Sequence, residues 1–341
     1  MNRKSIFIRL LASLLIIATL ITVSTACKSN SNNNTNSNNV SSNSSSDSSA
    51  NSNSNSNSNS NSNSSSDSDS SSDVVNSVCE LTKGADIRVM SYNILHPEWS
   101  SGASYVTIVG RDTNLKNIIN YYKPDVVGLQ EACQPWHFAV DKYLVKGGDY
   151  AFACASTSTK PYNMTTMIYN KKTVKLIEEY VVDLDANSDI RVLAVAVFEK
   201  LSDGKRFVVT NTHPSSRGYE ETYKRNMGDL FKYAKTELEK YKNLPVIMTG
   251  DFNTPEQSDL YTGFISETEV KDAKYEADKL VRQYSTFIGW PNGKFKEGSE
   301  NCIDHIFVNK NTDVLLFDCV IDHDVEKTSD HIPIYADIVL K

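Results

Sequence analysis

The chain has 341 residues, with 42 acidic against 35 basic, for a formal net charge of −7. That balance disfavours a protein that wraps nucleic acid, because phosphate-backbone binding needs a clustered Lys/Arg face. It leaves room for a small or locally gripped acidic substrate. Residues 29–72 are almost only Ser and Asn with a few Asp, a composition with nothing to bury against the entropy of ordering. Residues 1–76 carry Arg3, Lys4, Arg9 and Lys28 against Asp47, Asp67, Asp69 and Asp73, so the net charge belongs to the remainder. Residues 74–341 are read as one domain, long enough for a sizeable core.

The first element is an address. Arg3, Lys4 and Arg9 precede an apolar run over residues 10–23, shorter than the roughly 20 residues a spanning helix needs. A basic start, a short apolar middle and small residues at the end predict an export signal over residues 1–26. Small residues at Ser24 and Ala26 suit ordinary cleavage. A Cys directly after Ala26 resembles the lipobox of bacterial lipoproteins, in which that residue, here Cys27, becomes the lipidated amino terminus. Ser24 departs from the Leu-like residue usual there. The polar tract over residues 27–73 favours the anchor, since an anchored enzyme needs a spacer. A coil of about 45 residues reaches roughly 35–40 Å on average. The expected location is the outer face of the cytoplasmic membrane, with free secretion as the alternative.

Strands and helices then alternate. Residues 87–91 read as a strand. Leu115, Ile118, Ile119 and Tyr122 recur at helical spacing after the capping candidates Asp112 and Thr113, and Lys123-Pro124 stops that helix. Residues 125–129, 166–169 and 191–198 are further strands. Residues 206–212 follow the hairpin signal Asp203-Gly204. Met227, Leu230, Phe231, Ala234, Leu238 and Tyr241 mark a long amphipathic helix. Strands over 245–249, 303–308, 314–321 and 332–339 complete the series. Many strands, few helices and several hairpins predict packed sheets with helices outside. A hairpin across residues 309–312 would set Cys302 opposite Cys319, and Cys133 and Cys154 are a second candidate pair. With Cys79 the domain has an odd number of thiols, and no CxxC spacing points to zinc or to redox exchange.

Polar residues gather where the apolar runs end. Asn93 follows Val89-Met-Ser-Tyr. Gln130-Glu131 follows Val126-Val-Gly-Leu, and Asn211-Thr-His213 follows Phe207-Val-Val-Thr. Asp251-Phe-Asn253 follows Val246-Ile-Met-Thr-Gly. Asp304-His305 opens Ile306-Phe-Val, and Ser329-Asp330-His331 precedes Ile332-Pro-Ile. Each has a plain structural reading: a turn residue for Asn93, a helix-terminus charge for Glu131, a hydrogen-bonded structural imidazole for His213. Together they are costly to bury unpaired at a sheet edge. A hard cation and a phosphate would relieve that cost. The oxygen-rich set selects Mg²⁺, Mn²⁺ or Ca²⁺ over zinc.

The motifs Ser91-Tyr-Asn-Ile94, Gly128-Leu-Gln-Glu131, Asn211-Thr-His213, Gly250-Asp-Phe-Asn253, Ile303-Asp-His-Ile-Phe-Val308 and Ser329-Asp-His331 resemble, in this order, the motif set of the endonuclease/exonuclease/phosphatase superfamily. Tyr284-Ser-Thr-Phe-Ile-Gly-Trp290 is similar to an aromatic segment that precedes the fifth motif. The resemblance implies an α/β fold, a four-layer α/β/β/α sandwich of two packed mixed sheets with helices on the outer faces. It implies Glu131, Asn93 and Asp330 at the metal, which would be Mg²⁺ or Mn²⁺. It also implies Asp251 activating the attacking water and Asn253 holding that water or a phosphate oxygen. His331 would donate to the phosphate, with Asp304 orienting it, and His213 would sit on the other side of the phosphate. Tyr169 and Arg225 fall only near family positions. The reaction implied is metal-dependent hydrolysis of a phosphate ester by water, without a covalent intermediate.

The substrate stays open at this stage. A nuclease or other phosphodiesterase, acting as a monomer on extracellular nucleic acid, stands slightly ahead. Behind it come a small-molecule or inositol-type phosphatase and a sphingomyelinase-like enzyme, the last weakened by the lack of an aromatic membrane-inserting hairpin. The polar segment over residues 291–298 is expected to border the cleft. A non-catalytic surface binding lipoprotein is the reading from another class, and such a protein has no need for Asp251, Asp304 and His331 together.

Overall fold

The structure is a computed structural model that describes residues 78–97, 108–156, 164–184, 191–291, 293–298 and 300–341. The predicted export signal, the Ser/Asn-rich tract and Cys27 lie outside the described residues. Ser72–Lys341 forms one compact unit. Among the described residues no helix is long and apolar enough to cross a membrane.

Two sheets form the centre. The first has seven strands in the order β10 (Lys279–Leu280), β12 (Thr312–Cys319), β13 (Ile334–Leu340), β1 (Ile87–Asn93), β2 (Val126–Gln130), β4 (Met167–Asn170) and β3 (Tyr150–Ala153). The second has six, ordered β5 (Val174–Asp183), β6 (Val192–Lys200), β7 (Arg206–Thr212), β8 (Val246–Asp251), β11 (Asp304–Val308) and β9 (Lys271–Asp272). Both are mixed: β1 runs parallel to β2 and antiparallel to β13, while β7 runs parallel to β8 and β8 antiparallel to β11. The helices are α1 (Arg111–Tyr122), α2 (Gln134–Val140), α3 (Glu220–Lys240), α4 (Asp259–Thr268) and the single turn α5 (Ala273–Glu276).

Strand periodicity explains the layers. Successive side chains on β6 point to opposite faces. Ala194, Ala196 and Phe198 join the core between the sheets. Leu193, Val195 and Val197 pack instead with Met227, Leu230 and Ala234 of α3. Apolar on both faces, β6 reads as a continuous apolar run rather than an alternating one. On the other side α1 adds Leu115, Ile118 and Ile119 to the core that contains β1 and β2. The architecture is the expected α/β sandwich of two mixed sheets with helices.

The sheets approach closely at Gly128. A Cβ there would lie 2.2 Å from Thr249 Oγ1 and 2.7 Å from Asn211 Oδ1. The amide of Asn211 donates from Nδ2 to the carbonyls of Leu129 and Thr166, at 2.9 Å each, and its Oδ1 accepts from Gln130 Nε2 at 2.7 Å. A buried polar side chain is tolerable when it is so fully paired. Asn211 therefore bolts the sheets together just below the strand ends that carry the site.

Several local expectations change. Gly110, with φ 84, precedes α1, and Asp112 and Thr113 lie inside its first turn, where Asp112 Oδ1 accepts from the Gly110 and Thr113 N–H groups. Helix α3 begins at Glu220, a full turn and more before its first apolar marker. The 309–312 hairpin does not form. β11 lies in the six-stranded sheet and β12 in the seven-stranded one, because Asn309 turns the chain between them. Its Oδ1 accepts from the Val246 and Asn311 N–H groups, and its Nδ2 donates to Leu244 O. Cys302 and Cys319 still meet, both thiols facing the Tyr284 carbonyl at 3.2 and 3.9 Å, yet none of the five described cysteines is in a disulfide. Neither candidate disulfide is present. Strands β3 and β5 and helices α2 and α4 were not foreseen.

Candidate active site

The ends of β1, β2, β7, β8 and β11 and the loop before β13 bring the predicted residues to one place. A cavity of about 860 Å³ opens there, lined by Glu131, His213, Asp251, Asn253, Asp330 and His331 among others. Asn93 and Asp304 sit just behind its wall, 0% and 3% exposed.

Register sets the heart of the site. Asp251 and Asp304 face each other across the antiparallel β8–β11 pair. Two carboxylates so placed repel, and Asp251 is only 1% exposed. Burial and the nearby Asp304 charge push Asp251 up from the ordinary carboxylate range to about 7, against the pull of His331 and of hydrogen bonds from Asn253 N–H and Asn93. Asp251 Oδ2 accepts from Asn93 Nδ2 at 3.0 Å and has His213 Nε2 at 3.4 Å and His331 Nε2 at 3.6 Å. Its Oδ1 accepts from Asn253 N–H at 2.8 Å.

The two histidines are tuned apart. His331 Nδ1 lies 2.8 Å from Asp304 Oδ2. Burial works against its charge, but the charges of Asp304 and Asp251 outweigh that and hold it well above its ordinary value. His213 is pushed well below its ordinary value by burial, then by the positive charges of Arg191 and His331. Near neutral pH one imidazole is cationic and the other neutral. Opposite tuning of neighbouring titratable groups assigns distinct roles to them.

The third cluster is oxygen-rich. Glu131 has φ 60 directly after β2, which swings its carboxylate back toward β1. Oε1 accepts from Asn93 Nδ2 at 3.2 Å and Oε2 from His96 N–H at 2.5 Å. Burial and the charge of Asp330 push Glu131 up. A carboxylate destabilised by burial and a like charge is what a hard cation would relieve. Glu131 and Asp330 offer the oxygen donors that a hard divalent cation takes, while Asn93 turns its Nδ2–H groups to Glu131 and Asp251 and its Oδ1 to Leu95 N–H. Asp251, Asp304 and His331 also offer donor atoms within 4.8 Å of one another. There the imidazole already bridges the carboxylates, so that group reads as proton-handling machinery rather than a cation cage.

All the predicted site residues in the domain thus converge. Arg225 does not line the cavity; it is exposed and reaches Thr222 Oγ1 at 3.2 Å. Tyr169 packs on Phe198, with ring centres 5.4 Å apart, as a core residue. No described residue of 291–298 lines the cavity, and Glu297 pairs instead with Tyr284. The sequence reading missed the opposite wall. Arg191, Arg217 and Tyr219 line the cavity on the His213 side and Phe287 on the His331 side. Arg191 Nη1 donates to the His213 carbonyl at 3.1 Å. Tyr219 is 72% exposed and Phe287 41%. The clue to the first group was proximity, since Arg217 and Tyr219 follow His213 within a turn-rich stretch.

A fold of two packed mixed sheets, with carboxylates, amides and paired histidines at one edge, defines a metal-dependent phosphoesterase. The endonuclease/exonuclease/phosphatase family model matches residues 90–331, and the chain belongs to that family. Its members are divalent-metal-dependent hydrolases of phosphate esters, and this chain is such a hydrolase. Similar solved structures include a mannosyl-6-phosphatase from Bacteroides thetaiotaomicron, with TM-score 0.62 and 22% identity over 74% of this chain and 100% of that one. The human Nocturnin catalytic domain with bound sulfate gives TM-score 0.57 and 20% identity over 75% and 94%. TDP2 of D. rerio, complexed with a single-strand DNA product, gives 0.57 and 19% over 74% and 98%. Comparison with curated proteins gives no match.

Proposed function

We propose that the chain is an exported phosphodiesterase, anchored through Cys27, that hydrolyses nucleic-acid phosphodiesters at chain ends or in single strands, with Mg²⁺ as its metal. The observation that carries this reading is the concave cavity of about 860 Å³ around the catalytic groups. Its size is that of a small-ligand site, which suits a chain end or a splayed single strand better than a duplex. Arg191 and Arg217 offer cations to phosphate, and the exposed rings of Tyr219 and Phe287 offer stacking faces, which single-stranded bases use.

The residues divide the work. Glu131 and Asp330 would hold the cation, with Asn93 orienting Glu131 through Nδ2–H; the cation would supply charge neutralisation at phosphate and leaving-group oxygens. Asp251 Oδ2 accepts the proton of the attacking water, helped by burial and the Asp304 charge, which make its carboxylate more basic than an ordinary one. Asn253 is carried by the same turn and holds that water. His331, kept cationic by Asp304, donates its Nε2–H to the phosphate as charge builds there. His213, held neutral, contributes a hydrogen bond rather than a proton.

The cavity size also favours a second reading, a phosphatase for small monoesters such as sugar phosphates. One panel separates them. The intact chain is incubated with Mg²⁺ and an end-labelled single-stranded oligonucleotide, a supercoiled plasmid or a hexose phosphate. The expected result is a shortened oligonucleotide, an intact plasmid, and no activity in excess chelator. Hydrolysis of the sugar phosphate alone would replace the first reading with the second. Full activity in chelator would remove the metal.

A further inference from the structure

Arg111 opens α1 and is 4% exposed. Among the described residues no carboxylate pairs with it. Its fork is spent on backbone. Nε donates to the Thr328 carbonyl at 2.7 Å, and Nη2 donates to the carbonyls of Ile94 at 2.5 Å and Leu95 at 2.7 Å. Nη1 has no hydrogen-bond partner. The guanidinium lies between two indoles, 4.9 Å from the Trp136 ring centre and 5.3 Å from that of Trp290. Holding a charge this way is expensive, and a plain scaffold position would be served by an apolar side chain.

The carbonyls it holds belong to the two halves of the site. Leu95 N–H donates to Asn93 Oδ1 at 3.0 Å, and the next amide, His96 N–H, donates to Glu131 Oε2. Thr328 leads into Ser329, whose hydroxyl donates to the Asn93 carbonyl at 2.6 Å and accepts from His331 N–H at 3.2 Å. Asp330 lies between them. Burial pushes the Arg111 guanidinium down from its ordinary value, and the charges of Asp330 and Glu131 only partly offset that.

We infer that Arg111 is a positioning residue. It fixes the spacing between the Asn93–Glu131 pair and the Asp330–His331 loop. A planar fork holds carbonyls from two segments in one fixed geometry, whereas an ammonium with rotatable donors does not. The paired indoles hold that fork in one plane. The inference rests on the reading of Glu131 and Asp330 as metal-binding groups.

The test measures Mg²⁺ affinity by calorimetry and melting temperature, in the intact chain, for wild type, Arg111→Lys, Arg111→Ala and Glu131→Gln. Arg111→Lys keeps the charge and loses the fork. It is expected to fold, to bind Mg²⁺ about 10–100-fold more weakly, and to lose kcat while KM at saturating Mg²⁺ stays unchanged. Methylguanidinium added to Arg111→Ala is expected to refill the space between the indoles and restore affinity. If Arg111→Ala does not fold, Arg111→Lys decides alone. Weakened binding in Glu131→Gln with wild-type affinity and kcat in Arg111→Lys would overturn the inference and leave Arg111 as scaffold. Unchanged binding in Glu131→Gln would overturn the metal-site reading, and the inference with it.

Discussion

Two acid–histidine clusters sit back to back on β11, and only one has the makings of a catalyst. Asp304 contributes to the first, with Asp251 and His331; its neighbour His305 points to the other face and joins Glu256 and Asp272. Both are buried and both pair an imidazole with a carboxylate, at 2.8 Å for His331–Asp304 and 3.2 Å for His305–Asp272. They differ in what is left over. In the second cluster Lys274 Nζ sits 2.6 Å from Glu256, Tyr261 donates to Asp272 Oδ2 at 2.9 Å, and His305 Nε2 reaches the Thr254 carbonyl at 2.8 Å. The space beside it is only about 10 Å³. In the first, Asp304 Oδ1 has no partner, Asp251 is pushed up to about 7, and a cavity of about 860 Å³ lies in front. Residue types alone do not separate the two. Unspent hydrogen-bonding capacity and room for a ligand do.

The comparison can be broken by substitution, beginning where the effect is largest. Asp251→Asn should lower kcat by about 10²–10⁴-fold, the scale of a lost general base. Its metal-free melting temperature should stay level or rise. The sign follows from linkage: a carboxyl whose folded pKa is raised binds its proton more tightly when folded, so ionised Asp251 costs stability at neutral pH. A large drop in melting temperature would place Asp251 with the structural cluster. Lys274→Met should do the reverse. It removes the cation beside Glu256, whose side chain is 2% exposed and keeps only the neutral Tyr275 hydroxyl as a donor, and should cost about 3 kcal/mol in urea unfolding while kcat in the folded enzyme is unchanged. A kcat loss without a stability loss would erase the distinction.

His305→Asn is the finer probe, because its effect depends on pH. Burial lowers the His305 pKa, but the hydrogen bond and charge of Asp272 outweigh it and raise it above the ordinary value. A raised folded pKa contributes stability that is fully present below about 6.5 and is lost as pH rises through the folded value. The penalty for the substitution, of order 1–3 kcal/mol, should therefore be larger near pH 6 than near pH 9. A penalty that grows with pH would contradict the assignment.

Much of this was legible in the sequence, and the physics says which part. β1, β2, β7 and β8 are apolar runs ending in polar residues, because both faces are covered and only the ends meet the cavity. The same rule exposed Asn93, Glu131, His213, Asp251, Asp304 and Asp330-His331. The edges were not legible. β5 carries a partly exposed, charged pattern with a register shift between Leu176 and Glu178, so it shows no clean period. The short turn at Asn309 looks like a hairpin and crosses between sheets instead, since an Asn that caps three backbone groups can redirect a chain as well as close one. The second cluster was hidden because Glu256 and Asp272 lie in no motif and His305 is grouped with its neighbour Asp304, although successive strand residues face opposite ways. Arg111 was hidden because an arginine at a helix start looks like surface. Its meaning comes from carbonyls far away in the chain.

The most direct measurement sets one carboxylate from each cluster side by side: kcat and melting temperature for Asp304→Asn and Asp272→Asn, assayed with Mg²⁺ on the substrate identified by the panel. Asp304→Asn removes the partner that holds His331 charged, so it is expected to melt lower as well, but its folded fraction is expected to lose about 10²-fold or more in kcat. Asp272→Asn loses the partner of His305 and the cap on Lys274 N–H, and is expected to melt lower while its folded fraction turns over at the wild-type rate. Full turnover in Asp304→Asn, or a folded but inactive Asp272→Asn, would contradict the division of β11 into a catalytic face and a structural one.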